Sequence, residues 1–293
     1  MLQINPALAK IWLTPTTVQY GYPKGVQIEN LTPQTERMLH FLEQGFLESQ
    51  LPVLGRLAKC EALEVESLLA VLQPLLADWT SGLNDFLPSR LDFLQPEIHR
   101  LMRSGEVPAA VLESRSQLPI YISDFGKFGN LTLQLLIDLG FDYFITSDAS
   151  LRNPARIDRP GEGSRLRTLK DALPRHCQIQ LHSLLHESTA RRVALAILVE
   201  FEVCNPLEVQ FWQSFDVPTL RVRFSEAGCQ LESCLPTGQP KRVSGSREIA
   251  AAEAQLARSP RRMESAPAVI EAAHMLVQEA LRVLESNPKP REN

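Results

Sequence analysis

The chain is short of cysteine, of long apolar runs and of net charge, and each shortage removes a class of protein. Its five cysteines (Cys60, Cys177, Cys204, Cys229 and Cys234) are odd in number, scattered, and never spaced as CxxC. A disulfide framework and a CxxC zinc site are therefore unsupported. Cys229 and Cys234 are close enough to suggest a metal, but two small residues on paired strands explain them as well. His182 and His186 stand four apart without the acid of an HExxH motif, so packing or surface roles suit them better. No apolar run approaches the ~18 residues of a membrane span. The opening Met1-Leu-Gln-Ile-Asn5 has neither a basic nor a hydrophobic signal region. These features predict a cytoplasmic protein with no membrane partner. A net charge of −4 gives no electrostatic footprint for nucleic acid. What is present, 44% hydrophobic and 22% charged residues over 293 positions, is an ordinary globular composition. That length suits one large domain or two ordinary ones.

Residues 1–78 read as a small α+β module. Ile11-Trp-Leu13, Thr17-Val-Gln-Tyr20 and Gly25-Val-Gln-Ile28 are short strand candidates separated by Pro and Gly turns. Thr32 then suits an N-cap, Pro33 the first helical position and Glu36 the first turn. Met38, Leu39, Phe41 and Leu42 form one apolar face, and Gly45 sits where a C-terminal cap belongs. Further helices are predicted near 51–58 and 64–76. Short strands feeding three helices suggest a winged-helix-like module. Its third helix is acidic and apolar rather than basic, which favours docking a peptide or protein over binding DNA. Residues 79–117 read as a linker, Trp79 to Asp85, followed by a helix over 91–103 broken at Pro96.

The segment most suggestive of chemistry is Ile120-Tyr-Ile-Ser-Asp-Phe-Gly-Lys-Phe-Gly129. A buried strand at Ile120–Ile122 meets Gly126 and Gly129, then a helical pattern of leucines closed by Gly140, then a strand at Tyr143–Thr146 ending near Asp148. Strand, glycine turn, helix, strand and an acid about 20 residues on is the order of a dinucleotide fingerprint, with Asp124 in place of the first glycine. Later strands are predicted at 178–181, 193–199, 217–224 and 229–234, the last two suggesting an antiparallel edge. A helix is expected at 165–173 and a terminal one at 266–284, before a frayed tail at 286–293. The alternation predicts an α/β, doubly wound, mainly parallel Rossmann-like sheet over 118–285.

In such a sheet ligands sit outside the carboxyl ends of the strands. Gly126 and Gly129 would let backbone approach phosphates at a helix N-terminus, and Asp148 is placed for a ribose hydroxyl. Arg165 would donate to phosphates, and Glu200, closing the 193–199 strand, would hold Mg²⁺. Each also has a plain alternative: a tight turn, a loop cap, an exposed arginine, and an acid paired with a neighbouring arginine. An Asp124 carboxylate about 4 Å from a phosphate would cost roughly 4 kcal/mol at an effective dielectric of about 20.

These residues also carry a resemblance. Ile122-Ser-Asp-Phe-Gly-Lys-Phe-Gly129, Leu139-Gly-Phe141 and Ile145-Thr-Ser-Asp148 resemble the opening of the ThiF/HesA/MoeB family, bacterial relatives of ubiquitin-activating enzymes. Ala196-Ile-Leu-Val-Glu200, Asn205-Pro206, Val217-Pro218 with Arg221-Val-Arg223, and Leu235-Pro-Thr-Gly-Gln-Pro240 continue it. The resemblance implies ATP with Mg²⁺ as cofactors and adenylation of the C-terminus of a peptide or ubiquitin-like protein. It makes Gly126 and Gly129 the phosphate turn, Asp148 the ribose acid and Arg165 the basic residue after the loop. Glu200 stands for the metal-binding aspartate. It also implies a homodimer and an N-terminal clamp for a precursor peptide, as in actinobacterial relatives with a winged-helix domain. Lys241 and Ser244 stand where the first zinc-binding cysteine pair would be, so zinc is not expected. No thioester cysteine and no asparagine-arginine-glutamine stretch after Asp148 are recognisable.

These departures together make the chain a degenerate member, weakly active or non-catalytic, acting in peptide or protein modification by binding a peptide or a modifying enzyme. The alternative is an active ATP-dependent adenylyltransferase. An NAD-dependent oxidoreductase rests on the fingerprint alone, without a Tyr-x-x-x-Lys or His–Asp pairing to support it.

Overall fold

The computed structural model describes residues 1–123, 127–147, 177–182, 186–201, 206–225, 228–235, 241–242 and 267–286. The chain divides into two compact units, Met1–Ser114 and Arg115–Asn293. No described helix is long and apolar enough to cross a membrane.

In the first unit β1 (Gln3–Ile4) precedes β2 (Lys10–Thr14), β3 (Thr17–Tyr20) and β4 (Val26–Ile28), which form a three-stranded antiparallel sheet. Three helices follow, α1 (Pro33–Gln44), α2 (Leu51–Ala58) and α3 (Ala62–Leu72), and β5 (Leu76–Ala77) returns to pair with β1. The start of α1 follows from its residues. The Thr32 hydroxyl accepts from the Thr35 amide at 3.2 Å, and the Thr35 hydroxyl accepts from the Thr32 amide at 2.8 Å. Two of the amides that a helix start leaves unpaired are thus satisfied reciprocally. Gly45 ends the helix at φ +91°, a conformation that costs a side-chain-bearing residue more than glycine. Met38, Leu39 and Leu42 are fully buried against Val18, Tyr20 and Phe46.

Two expectations for residues 79–117 change. Trp79, at the start of the supposed linker, is 3% exposed and packs with Leu83, Leu94, Ile98, Leu101 and Leu112 as a second core. Its indole N–H donates to the Gln3 carbonyl at 3.1 Å. Helix α4 runs unbroken over Pro88–Ser104 despite Pro96, and α5 covers Pro108–Ser116. Proline deprives the Asp92 carbonyl of its helical partner, but both residues are solvent-exposed, so water takes the bond and the helix continues.

The second unit is built on a seven-stranded sheet. Its strands are β6 (Ile120–Ile122), β7 (Tyr143–Ser147), β8 (Gln178–His182), β9 (Leu195–Phe201), β10 (Thr219–Ser225), β11 (Gly228–Cys234) and β12 (Lys241–Arg242). They lie in the order β8-β7-β6-β9-β10-β11-β12. The first five are mutually parallel, β11 is antiparallel to β10 and β12 antiparallel to β11, so the expected doubly wound, mainly parallel sheet is present; of the two strands expected at an antiparallel edge, β10 is instead parallel to β9. Ile120, Ile122, Ile197, Leu220 and Val222 are buried on one side of the sheet, and Tyr121, Ala196 and Leu198 on the other. A sheet covered on both faces gives near-continuous apolar strands, as here.

On the first side lie α6 (Lys127–Asp138) and the terminal helix, with Phe128 edge-on to Phe224 at 5.0 Å. On the second side, between a short turn of helix α7 (Glu187–Ala190) and the antiparallel edge, lies α8 (Pro206–Ser214). Its Trp212 is fully buried against Tyr121 at 4.5 Å. The terminal helix α9 (Pro267–Ser286) docks through Ala273, Leu276, Ala280 and Val283. Buried Arg115 ties α6 to α9: it donates to the Leu139 carbonyl at 2.9 Å and pairs with Glu285 at 3.8 Å.

Removing half of the α1 capping box has a predictable cost. Thr32→Ala should lower the stability of the first unit by about 1 kcal/mol. Urea unfolding of the full chain, followed by circular dichroism, measures the change; an unaltered first transition would contradict this account of the helix start.

Candidate functional site

In chain order the five parallel strands stand third, second, first, fourth and fifth across the sheet. The order therefore reverses between β6 and β9. The helices that follow these two strands, α6 and α8, lie on opposite faces of the sheet, the arrangement that in such sheets opens a crevice outside the carboxyl ends. Ser123 fastens the two strands at that point. Its amide donates to the Ile197 carbonyl at 3.0 Å, and its hydroxyl accepts from the Val199 amide at 2.9 Å. The hydroxyl stands in for a backbone carbonyl, so β6 stops pairing one residue early and the chain is free to turn.

Helix α6 then starts at Lys127 beside the crevice, with Phe128 and Gly129 buried in its first turn. The free amides of a helix start favour an anion there. Gly126, Asp124, Asp148 and Arg165 lie outside the described residues, so of the expected site residues the structure places Gly129 and Glu200. Strand β7 ends at Ser147, immediately before Asp148.

Glu200 differs in surroundings from the expectation. The strand that carries it starts at Leu195 and reaches Phe201, so Glu200 lies inside β9 rather than at its end. It is 7% exposed, on the same side of the sheet as Leu198. In the parallel register it stands opposite Arg223 of β10, and Arg221 of β10 stands opposite Glu232 of β11. The four side chains form one ion-pair cluster. Arg221 Nε donates to Glu200 Oε2 at 2.7 Å, and Arg223 Nε lies 3.7 Å from the same oxygen. Glu232 Oε2 is 3.4 Å from Arg221 Nη1 and 3.7 Å from Arg223 Nη2. Among the described residues, these two carboxylates and two guanidinium groups balance in charge.

A hard divalent cation wants several oxygen ligands and no competing cations. Glu200 offers one carboxylate whose Oε2 already serves two guanidinium groups, so as it stands it fits Mg²⁺ poorly. Among the described residues no group of three or more His, Cys, Asp or Glu could hold a metal ion. Cys229 and Cys234 both lie on β11 and are buried. Burial pushes the Cys229 thiol up to about 12. The Cys234 thiol is raised by burial and by the Glu232 carboxylate, against a smaller lowering by Arg221. Both are protonated packing residues at neutral pH.

Comparisons with known proteins agree with the topology. No family model matches the chain, and no curated protein matches its sequence. Solved structures do match in shape. MccB of E. coli, in a structure with succinimide, shares 10% identity and a TM-score of 0.59 over 99% of this chain and 90% of that one. MccB with AMPCPP and MccA gives 11% and 0.60 at 99% and 90% coverage. PaaA gives 12% and 0.63 over 97% of this chain and 92% of its own. MccB has also been solved with ATP, and is described as a microcin C7 biosynthetic enzyme. At these identities the likeness establishes a shared fold: the chain has the Rossmann-like architecture of MccB and PaaA.

The charge cluster and the buried thiol each give a test. Glu200→Ala leaves two guanidinium groups facing one carboxylate, and removing one partner of a buried pair costs about 3 kcal/mol or more. Arg191→Ala, which breaks the exposed pair with Glu187, should change stability by less than about 1 kcal/mol. Urea unfolding of both variants measures the contrast, and equal effects would refute it. Iodoacetamide at pH 8 should leave Cys229 unmodified in the folded protein and alkylate it once urea unfolds the chain; peptide mass mapping decides.

Proposed function

We propose that this chain is a ThiF-type protein of peptide or protein modification that works by binding a peptide or a partner enzyme, with an adenylating site that is weakly active or non-catalytic. Glu200 carries the proposal. Its carboxylate stands at the position the family gives to a metal-binding aspartate, yet it is neutralised by Arg221 and Arg223. Adenylation needs the triphosphate charge offset and the leaving pyrophosphate stabilised, work commonly done by a bound divalent cation. A carboxylate already committed to two arginines supports a slow or absent reaction.

Peptide binding is assigned to the winged-helix-like N-terminal module, residues 1–78. Support comes from MccB, whose likeness covers nearly the whole of this chain and which has been solved with MccA. In the second unit, ATP would lie at the β6–β9 reversal. Gly126 and Gly129 would face its phosphates, Asp148 its ribose, and Arg165 would be a further phosphate donor. A homodimer is part of the same proposal.

The alternative is an active adenylyltransferase, favoured by the preserved strand reversal and by the helix start beside it. In that case a peptide carboxylate attacks the α-phosphorus of ATP, forming an acyl-adenylate and releasing pyrophosphate. Orientation and phosphate neutralisation would be the protein's contribution.

One experiment separates the two. A displayed random-peptide library is selected on the full-length chain, and the enriched peptide is titrated against wild type and Gly126→Val. Affinities within about twofold of each other, with no ATP–pyrophosphate exchange above background, are expected. Exchange at the rate of a working ThiF-type control would establish the active enzyme instead. Selection that enriches no peptide, or loss of the peptide in a folded Gly126→Val, would overturn the proposal.

A further inference from the structure

The metal position and the arginines beside it point to a second assignment, which rests on the proposal that a nucleotide occupies the crevice. We infer that Arg223 takes over the charge that a divalent cation would bring there, so that a nucleoside triphosphate is bound through its phosphates without a metal at Glu200.

Three observations converge on Arg223. First, its ion-pair distances to Glu200 and Glu232, both 3.7 Å, are beyond hydrogen-bond length, and its Nε is buried with no hydrogen-bond partner among the described residues. Arg221, by contrast, is committed to Glu200 at 2.7 Å and is 8% exposed. A buried, unpaired guanidinium N–H costs free energy until something accepts from it.

Second, Arg223 stands near the carboxyl end of β10, two residues before Ser225, and its side chain keeps 30% of its surface accessible. Adjacent strands lie about 4.8 Å apart. One strand spacing therefore separates β10 from β9, the strand that borders the crevice, and an arginine side chain spans that distance.

Third, the local charges are arranged so that Arg223 is the member able to turn outward. Glu200 can stay neutralised by Arg221 alone, through their shorter bond, while Arg223 swings its donors to a ligand. Guanidinium suits the task because its planar set of N–H groups matches two phosphate oxygens at once. Glu232, paired with both arginines, limits the loss of charge balance when Arg223 moves.

The test is thermal unfolding of the full-length protein with ATP, once in excess Mg²⁺ and once in EDTA. Wild type, Arg223→Gln and Arg223→Lys are compared. Ligand binding raises the unfolding temperature by mass action, so the shift reports affinity without any activity. Wild type should be stabilised about equally in both buffers. Arg223→Gln should weaken the apparent affinity for ATP about tenfold or more, as loss of a hydrogen bond to a charged group does. Arg223→Lys, which keeps the charge, should retain part of the shift and controls for any misfolding of the glutamine variant. A shift seen only with Mg²⁺, a full shift in Arg223→Gln, or no shift with ATP in either buffer would each overturn the inference. Absent ATP stabilisation with intact peptide binding would sink this assignment and leave the peptide-binding proposal standing. Lost peptide binding with intact ATP stabilisation would do the reverse.

Discussion

The parallel pairing of β6 with β9 is the contact on which the second unit depends. Every other neighbour in the sheet follows the chain outward from this pair: β7 and β8 to one side, β10 and then the antiparallel edge to the other. Three registered residue pairs and the doubled bond at Ser123 hold it. Because the order reverses there, the next chain segments go to opposite faces. The opening between them is thus a consequence of topology and needs no special residues to form. Ser123 adds a refinement: by accepting from Val199 with its hydroxyl, it releases its backbone to begin the turn toward α6. An alanine there would leave the Val199 amide buried and unpaired at the mouth of the crevice.

How much of this could be read from the sequence depended on whether the signal was local. Thr32, Pro33 and Gly45 act within a few residues of themselves, and the capped helix lies where they put it. The β-branched and aromatic runs at 120–122 and 143–147 are strands, and the leucine pattern between them is a helix. Asp148 and Gly126, which complete that fingerprint, are not among the described residues. Pro96 misled because a proline's effect depends on whether the carbonyl it orphans can reach water, and that is a matter of which face the helix exposes. Trp79 misled for the opposite reason: Thr, Ser and Gly around it looked like a linker, while its own large apolar surface is sunk into the α4 and α5 helices. Helix α8 is not among the predicted elements; Pro206 and the spacing of Val209 and Trp212 are its local signals.

The charge cluster belongs to a different category. Arg221 and Arg223 alternate on one strand, which is visible as a pattern. Their partners come from residues 200 and 232, and nothing in the linear order says that these share a face with them. Strand register decides it: opposite Glu200 stands Arg223, and opposite Arg221 stands Glu232. One residue of slip would turn the arginines of β10 away from Glu200, or Glu232 of β11 away from the arginines, into the apolar layer under α6 and α9. Burial of uncompensated carboxylates is expensive enough to forbid that arrangement. The cluster therefore contributes to specifying the register of β10 and β11, independently of any ligand.

The same geometry gives position 200 a use for a glutamate that an aspartate could not serve. Aspartate is shorter by one carbon–carbon bond, about 1.5 Å. From the same backbone position its carboxylate would meet the Arg221 Nε near 4 Å rather than at 2.7 Å, outside hydrogen-bonding range. A short acid at the end of a strand is suited to a cation sitting in the crevice; a longer one on this strand reaches sideways to the neighbouring arginine. The extra methylene makes this acid a partner for the arginine beside it. Arg221 and Arg223, two guanidinium groups on successive same-face positions of β10, would repel any metal held beside them. Shortening the acid to aspartate would therefore create no metal site: the arginines would remain, now less well neutralised than before.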